Sequence, residues 1–281
     1  MKVLITGAAG MLGQQVTREF RQRGQQVFPF DHGTLDITDL PVVRITLARV
    51  APDVVVNCAA YTAVDKAETE RETAFAVNAI GPRNLALACG EVGAALVHVS
   101  TDYVFDGDKA EPYVIWDPLQ PLSVYGLSKA WGENYVRSLL TRYYLVRTSW
   151  LFGPGGSNFV DRILRSAREG QPLRVVNDQR GSPTFTVDLA GGIADLVMRG
   201  AYGIYHLTNQ GITTWYQLAC LVLSQAGLSV PIRPISTREL NRPARRPANS
   251  VLDPFPVRET IGRLLPPWPD AITRYLNEVG T

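Results

Sequence analysis

A tyrosine and a lysine four residues apart, Tyr125 and Lys129 in the run Val-Tyr-Gly-Leu-Ser-Lys, are side chains able to move a proton. On a helix, positions i and i+4 share one face. A lysine cation beside a phenol favours the phenolate, so the pair is expected to lower a pKa that is about 10 in water. Such a phenol can give its proton to a carbonyl oxygen as hydride arrives at the neighbouring carbon. Upstream, Val-His-Val-Ser-Thr-Asp-Tyr-Val-Phe at 97–105 reads as a strand ending at Ser100–Thr101. That places the Thr101 hydroxyl where it can bond the same oxygen. The chemistry is that of a carbonyl reductase, and it requires a hydride source.

The start of the chain supplies the place for one. Met-Lys-Val-Leu-Ile-Thr-Gly-Ala-Ala-Gly-Met-Leu-Gly runs a strand directly into Gly7, Gly10 and Gly13. Gly7 suits a tight turn, Gly10 lets backbone amides approach a pyrophosphate, and Gly13 lets the helix pack close to the strand. The helix N-terminus adds partial positive charge. The spacing is one residue longer at the front than the commonest dinucleotide fingerprint. Asp31, after the second strand, is placed to bond the adenosine ribose hydroxyls, which favours NADH, and Asp36 and Ile37 are expected to flank the adenine. Lys129 is also placed to bond the nicotinamide ribose.

The elements that must position these residues follow from periodicity. Val3–Thr6, Gln26–Phe30, Asp53–Asn57, Ala95–Ser100 and Tyr143–Thr148 are apolar without polar alternation, as strands buried on both faces are. Between them lie helical patterns at Leu12–Gln22, Pro41–Val50, Thr69–Glu91 and Ser123–Leu140. Strand and helix in alternation imply an α/β, Rossmann-like doubly wound parallel sheet with its cleft at the carboxyl ends of the strands. After Trp150 the pattern loosens into Gly- and Pro-rich stretches, expected to form a smaller C-terminal substrate lobe. We expect a dinucleotide-binding domain at 1–149, a mainly substrate-binding lobe at 150–281, and a return of 185–208, with its helix Val187–Met198, to the main sheet.

Bulk properties exclude several classes. At 281 residues, 46% hydrophobic and 19% charged, the chain is an ordinary globular protein. A net charge of +2 argues against nucleic acid as a partner. No apolar run reaches the roughly 18–20 residues of a membrane span, and no signal peptide is read at the N-terminus. Cys58, Cys89 and Cys220, three scattered thiols in apolar sequence, read as reduced cysteines of a cytoplasmic protein. His32, His98 and His206 are isolated, so no metal site is expected. Trp215 and Trp268 read as core or lobe-packing aromatics. Arg233, Arg238, Arg242, Arg245 and Arg246 crowd one Pro-punctuated stretch, and guanidinium forks suit a diphosphate. Asn158 and Phe159 are expected to serve the nucleotide.

The chain resembles the extended short-chain dehydrogenase/reductase family, and within it the dTDP-4-dehydrorhamnose reductases. The residues that carry the resemblance span nearly the whole chain. They are Gly-Ala-Ala-Gly-Met-Leu-Gly at 7–13, Pro-Asp-Val-Val-Val-Asn at 52–57, Tyr-Thr-Ala-Val-Asp-Lys-Ala-Glu at 61–68 and Ser-Thr-Asp-Tyr-Val-Phe at 100–105. They continue with Tyr-Gly-Leu-Ser-Lys at 125–129, Arg-Thr-Ser-Trp at 147–150, Asn-Asp-Gln at 177–179, Thr-Thr-Trp at 213–215 and Arg-Pro-Ala-Arg-Arg-Pro-Ala-Asn-Ser at 242–250.

That resemblance implies Thr101, Tyr125 and Lys129 as the catalytic triad. It implies Gly7, Gly10, Met11, Leu12, Gly13, Ala59, Ala60 and Tyr61 around an NADPH or NADH cofactor. Asp102 and Trp150 would touch the sugar, and Thr62, Val64 and Asp65 would line its pocket; from the arginine-rich loop, Arg245 is expected to reach the diphosphate on its chemistry alone. The reaction implied is hydride transfer to C4 of dTDP-4-dehydro-6-deoxy-L-mannose, giving dTDP-L-rhamnose. Related dehydratases carry an adjacent Asp-Glu pair, and this chain has Asp102-Tyr103. Some relatives form metal-linked dimers through an acid just after the third glycine, and here Gln14 and Gln15 stand there, so neither magnesium nor that dimer is expected. A monomer or a homodimer remains open. So do a sister reductase acting on another 4-keto-6-deoxy sugar and a non-catalytic nucleotide-binding subunit, although the latter would be free to lose the triad, which is intact.

Overall fold

Alternate side chains of the buried strands enter two different cores, as a sheet covered on both faces requires. In a computed structural model, which describes residues 1–280, the first half alternates β1 (Lys2–Thr6), α1 (Met11–Gln22), β2 (Gln26–Phe30), α2 (Leu40–Val50), β3 (Val54–Asn57), α3 (Arg71–Phe75), α4 (Gly81–Val92), β4 (Ala95–Thr101), α5 (Val124–Leu139) and β5 (Tyr143–Thr148). Val3, Ile5, Val54, Val56, Val97 and Val146 pack with α1 and the later helix Thr186–Arg199. Leu4, Val55 and Leu96 point the other way, onto Val43 and Leu47 of α2 and Leu85 and Cys89 of α4.

The second half comprises β6 (Leu151–Phe152), α6 (Phe159–Arg168), β7 (Leu173–Val176), β8 (Arg180–Gly181), β9 (Thr184–Phe185), α7 (Thr186–Arg199), β10 (Gly203–His206), β11 (Thr213–Thr214), α8 (Trp215–Gln225), β12 (Ile232–Ile235), α9 (Thr237–Leu240), α10 (Val257–Ile261) and α11 (Trp268–Glu278). The helix α7 covers α1, and β10 pairs with β5 in parallel register from Gly203 opposite Tyr144 to His206 opposite Arg147. The main sheet therefore has six strands in the order β2-β1-β3-β4-β5-β10, all parallel. A third core joins α6, α8 and α11 through Val160, Ile163, Leu218, Val222, Ile272 and Tyr275. Among the described residues no helix is long and apolar enough to cross a membrane.

Strand order reverses between β1 and β3, and such a switch point opens a crevice at the strands' carboxyl ends. Asn57, the last residue of β3, organises it. Its Oδ1 accepts from Thr6 Oγ1 at 2.7 Å and from the Ala59 amide at 3.1 Å, while its Nδ2 meets His98 Nδ1 at 3.1 Å. Strands β1, β3 and β4 are thus joined beneath the loop that leaves β3. The long helical pattern at 69–91 is interrupted by one π turn, Ala76–Ile80, where Pro82 removes a backbone donor just downstream. That turn aims the buried Asn78 at the same loop.

Candidate active site

The glycine turn is built around contacts that a side chain would forbid. Gly7 has φ +65°, and a Cβ there would lie 2.5 Å from the Ala59 nitrogen. A Cβ on Gly13 would lie 2.2 Å from the Gly7 carbonyl oxygen. The helix α1 then begins at Gly10 with no side-chain cap, so its first-turn amides keep their hydrogen-bonding capacity for a ligand. Gly10, Met11, Leu12 and Gly13 line a cavity of about 530 Å³. An uncapped helix end behind an obligatory glycine cradle fits a dinucleotide pyrophosphate. Gly13→Ala is expected to cost about 1–3 kcal/mol of stability by overpacking, and to weaken cofactor binding. Urea midpoints and a fluorescence titration with NADPH check both.

Thr101, Tyr125 and Lys129 line the same cavity. Ser123 caps α5, accepting from the Gly126 amide at 3.2 Å, and so starts the helix that presents Tyr125 and Lys129. Gly126 is needed because a Cβ would strike the Tyr103 carbonyl oxygen at 2.2 Å. The Thr101 hydroxyl donates to Asp102 Oδ1 at 3.0 Å, accepts from the Tyr103 amide at 3.2 Å and lies near enough to the Tyr125 phenol to offset part of the effect of its burial.

One expectation is corrected here. Lys129 does not depress the Tyr125 pKa: burial pushes the phenol up to about 12. The ammonium is turned to the Val99 carbonyl at 2.6 Å, and burial lowers it to about 8. In an enclosed site, loss of water outweighs a neighbouring charge. For a reductase this is serviceable, because a phenol that stays protonated is a loaded proton donor.

Asp102, 2% exposed, is pushed up to about 7 by burial. The Ser250 hydroxyl lies near enough to offset burial slightly, yet Asp102 Oδ2 has no partner in hydrogen-bond geometry. An acid raised in the folded state stabilises the fold below its unfolded pKa, near 4, and that stability is lost as pH rises through about 7. Asp102→Asn should therefore stabilise the ligand-free protein by a few kcal/mol at pH 8 and hardly at all at pH 4. Urea midpoints at the two pH values measure this.

The other candidate residues divide. Ala60, Thr62 and Trp150 line the cavity with the triad, joined by Cys58, Thr148 and Ser149. Ala59 is held by Asn57, and Tyr61 exchanges backbone hydrogen bonds with Asn78, its amide donating at 2.8 Å and its carbonyl accepting at 3.0 Å. Asn78 also donates to Ser128, beside Lys129, at 3.0 Å. Sequence reasoning passed over Asn57 and Asn78, and the available signal was a polar residue inside an otherwise apolar strand or helix. Asp31 spends its carboxylate on Thr34, and Asp36 on Thr38. Ile37 is a core residue, because Gly81 leaves room only for its side chain. Val64 lies in the turn before Asp65, its amide bonded to the Thr62 carbonyl. Asn158 caps α6, and its amide is taken up by Gly153, Asp161 and Tyr275.

A second cavity, of about 430 Å³, lies beside the first. Phe159, Arg162, Trp215, Arg242 and Arg246 line it, while Arg245 is exposed to solvent. Asp65 pairs with Arg246 at 3.0 Å and with Arg242 at 3.4 Å, fastening the arginine-rich loop across the cleft. Trp215, read as a core or lobe-packing aromatic, does pack against the third core, and it lines this cavity as well. It stacks on Trp150 with ring centroids 3.6 Å apart and planes 8° apart, one ring facing each cavity. Trp150 sits at φ +48°, and Gly181 makes space for its ring. Among the described residues no cluster of three or more His, Cys, Asp or Glu stands ready for a metal.

A family model described as the RmlD substrate binding domain matches residues 1–281. The chain is 48% identical over 257 residues to a dTDP-4-dehydrorhamnose reductase of Streptomyces griseus, covering 89% of this chain and 84% of that one. A solved dTDP-4-dehydrorhamnose reductase from Clostridium acetobutylicum superposes with a TM-score of 0.97 at 42% identity over 100% of both chains. Another, from Bacillus anthracis in complex with NADP, gives 0.96 at 41% identity over 99% of each. Glycine turn, triad and two-cavity cleft thus occur on a chain matched end to end, and the protein belongs to the RmlD family, that of the dTDP-4-dehydrorhamnose reductases.

Proposed function

We propose that the chain reduces the C4 ketone of dTDP-4-dehydro-6-deoxy-L-mannose to dTDP-L-rhamnose. The observation that carries this reading is the single cavity in which Thr101, Tyr125 and Lys129 meet the uncapped start of α1. Gly7, Gly10, Met11, Leu12 and Gly13 would hold the pyrophosphate of NADPH or NADH, with Ala59, Ala60 and Tyr61 beside it, and Lys129 would bond the nicotinamide ribose. The bound cofactor supplies the hydride that reaches C4. Thr101 orients O4, and Tyr125 gives its proton to that oxygen, converting C=O to CH–OH. Thr62, Asp102 and Trp150 would contact the sugar. Arg242 and Arg246 are better placed than Arg245 to meet the diphosphate, and the second cavity suits the thymidine. Asp31, at the end of β2, is kept as the residue that decides between NADH and NADPH. A cytoplasmic enzyme, monomeric or homodimeric, belongs to the same reading, and light scattering resolves the oligomer.

The direct test mixes purified protein with the keto sugar nucleotide, generated in situ, and either reduced cofactor. Substrate-dependent loss of the nicotinamide absorbance with dTDP-L-rhamnose as product is expected, and the two rates rank the cofactors. No loss in protein that binds cofactor would sink the reading. Arg246→Ala should raise the KM for the sugar nucleotide roughly tenfold or more, the scale of a lost charge-assisted hydrogen bond. The NADPH Kd should stay unchanged, because Arg246 lines only the second cavity.

A further inference from the structure

Beneath the catalytic face of α5 lies an ion pair that the proton transfer does not use. Glu133 follows Lys129 by one helical turn, so the two share a side of the helix. Glu133 is 0% exposed and its partner Arg147 is 1% exposed. Arg147, on β5, grips both carboxylate oxygens, with Nε at 3.0 and 3.2 Å and Nη2 at 2.7 Å. Ser100, the residue before Thr101 on β4, donates to Oε1 at 2.5 Å. Arg147 also donates to the Ile115 carbonyl at 3.2 Å and lies over the Phe105 ring. One buried carboxylate therefore ties together the three elements that carry Tyr125 and Lys129, Thr101, and Thr148.

Burying two charges is costly, and a well-packed apolar pair often holds a fold equally well. The position of this pair points to a role beyond stability. We propose that Glu133 is a positioning residue of the reaction: clamped by Ser100 and Arg147, it sets α5 against β4 and β5 and serves as the buried counter-charge of the Lys129 ammonium. The inference rests on the reductase reading given above.

The groups around Lys129 leave that task to Glu133. Cys58 at the end of β3 is held as a thiol and His98 on β4 as a neutral imidazole, both by burial. Tyr125 stays a phenol. Behind Arg147, His206 on β10 is neutral, with Asp117 beyond it. Asp102 is the other nearby carboxylate, and it is half protonated near pH 7. Burial lowers the Lys129 ammonium to about 8, with Glu133 pulling against it.

The test is E133Q, which keeps the shape and removes the charge, alongside the double variant E133Q/R147M, which removes both buried charges should the single variant fold poorly. Two quantities are followed against pH: kcat/KM, and the Kd for NADPH from quenching of protein fluorescence, which needs no turnover. In E133Q the alkaline fall of kcat/KM and the weakening of NADPH binding should both begin about one pH unit lower than in the native chain. The double variant should regain melting temperature and still show the lowered limb. A native limb in folded E133Q, or one restored in the double variant, would overturn the proposal. A native chain that never reduces the sugar nucleotide overturns the reductase reading instead, while the pH dependence of NADPH binding still tests Glu133.

Discussion

Tyr125→Phe is expected to lower kcat at least about a hundredfold, the lower end of what a positioned general acid contributes. The phenol lies near Thr101 in the cavity and remains protonated throughout the working range, since burial holds it at about 12. Removing one oxygen leaves the ring, its edge-on contact with Tyr103 and the α5 cap intact. NADPH affinity should therefore be unchanged. Stopped-flow turnover and a fluorescence titration give the two numbers. Near-native turnover in the folded variant would mean that the proton comes from elsewhere, and Asp102, half protonated near neutrality, would be the next group to test.

Lys129→Ala is expected to damage turnover and cofactor affinity together. The ammonium is buried and its neighbourhood offers one backbone acceptor, Val99, so it is available to a ribose hydroxyl. Loss of one charge-assisted hydrogen bond should raise the NADPH Kd roughly tenfold to a hundredfold, and kcat/KM should fall by more. The native enzyme carries a related signature. A lysine lowered to about 8 is a cation below that pH and loses its charge as pH rises through it. Tyr125 does not ionise in that range, so kcat/KM of the free enzyme should decline above about pH 8 on the lysine alone. An unchanged Kd in Lys129→Ala would remove the ribose role. A flat profile to pH 10 would remove the lysine as the titrating group.

Much of this site was legible in the chain because its parts are local. Strands buried on both faces need only short apolar runs, and β1, β3, β4 and β5 lie where those runs lie. β2 also forms where expected, but as the half-exposed edge strand, since among the described residues nothing pairs with its outer side. The Gly7, Gly10 and Gly13 turn and the Tyr125–Lys129 spacing are each set within one turn of backbone, so type and interval are sufficient. Asp31 and Ile37 show where local reading weakens. Their place after β2 was legible, but the hydrogen bonds of Asp31 to Thr34 and the burial of Ile37 against Gly81 depend on neighbours that spacing does not reveal. Trp215 packs against the lobe core as its reading had it, but nothing in its vicinity along the chain announces its stack on Trp150.

By itself, then, the sequence determined which groups could transfer a proton and which turn could hold a phosphate, since both are matters of residue type at short interval. Tertiary structure alone decided the rest. It joined Asp65 to Arg246 across 181 residues and laid Trp150 on Trp215. It also placed Arg147 against Glu133 beneath Lys129. Above all, it decided the direction in which Tyr125 and Lys129 titrate. That direction depends on how completely water is excluded, and enclosure is a property of the assembled walls and of no single stretch of chain.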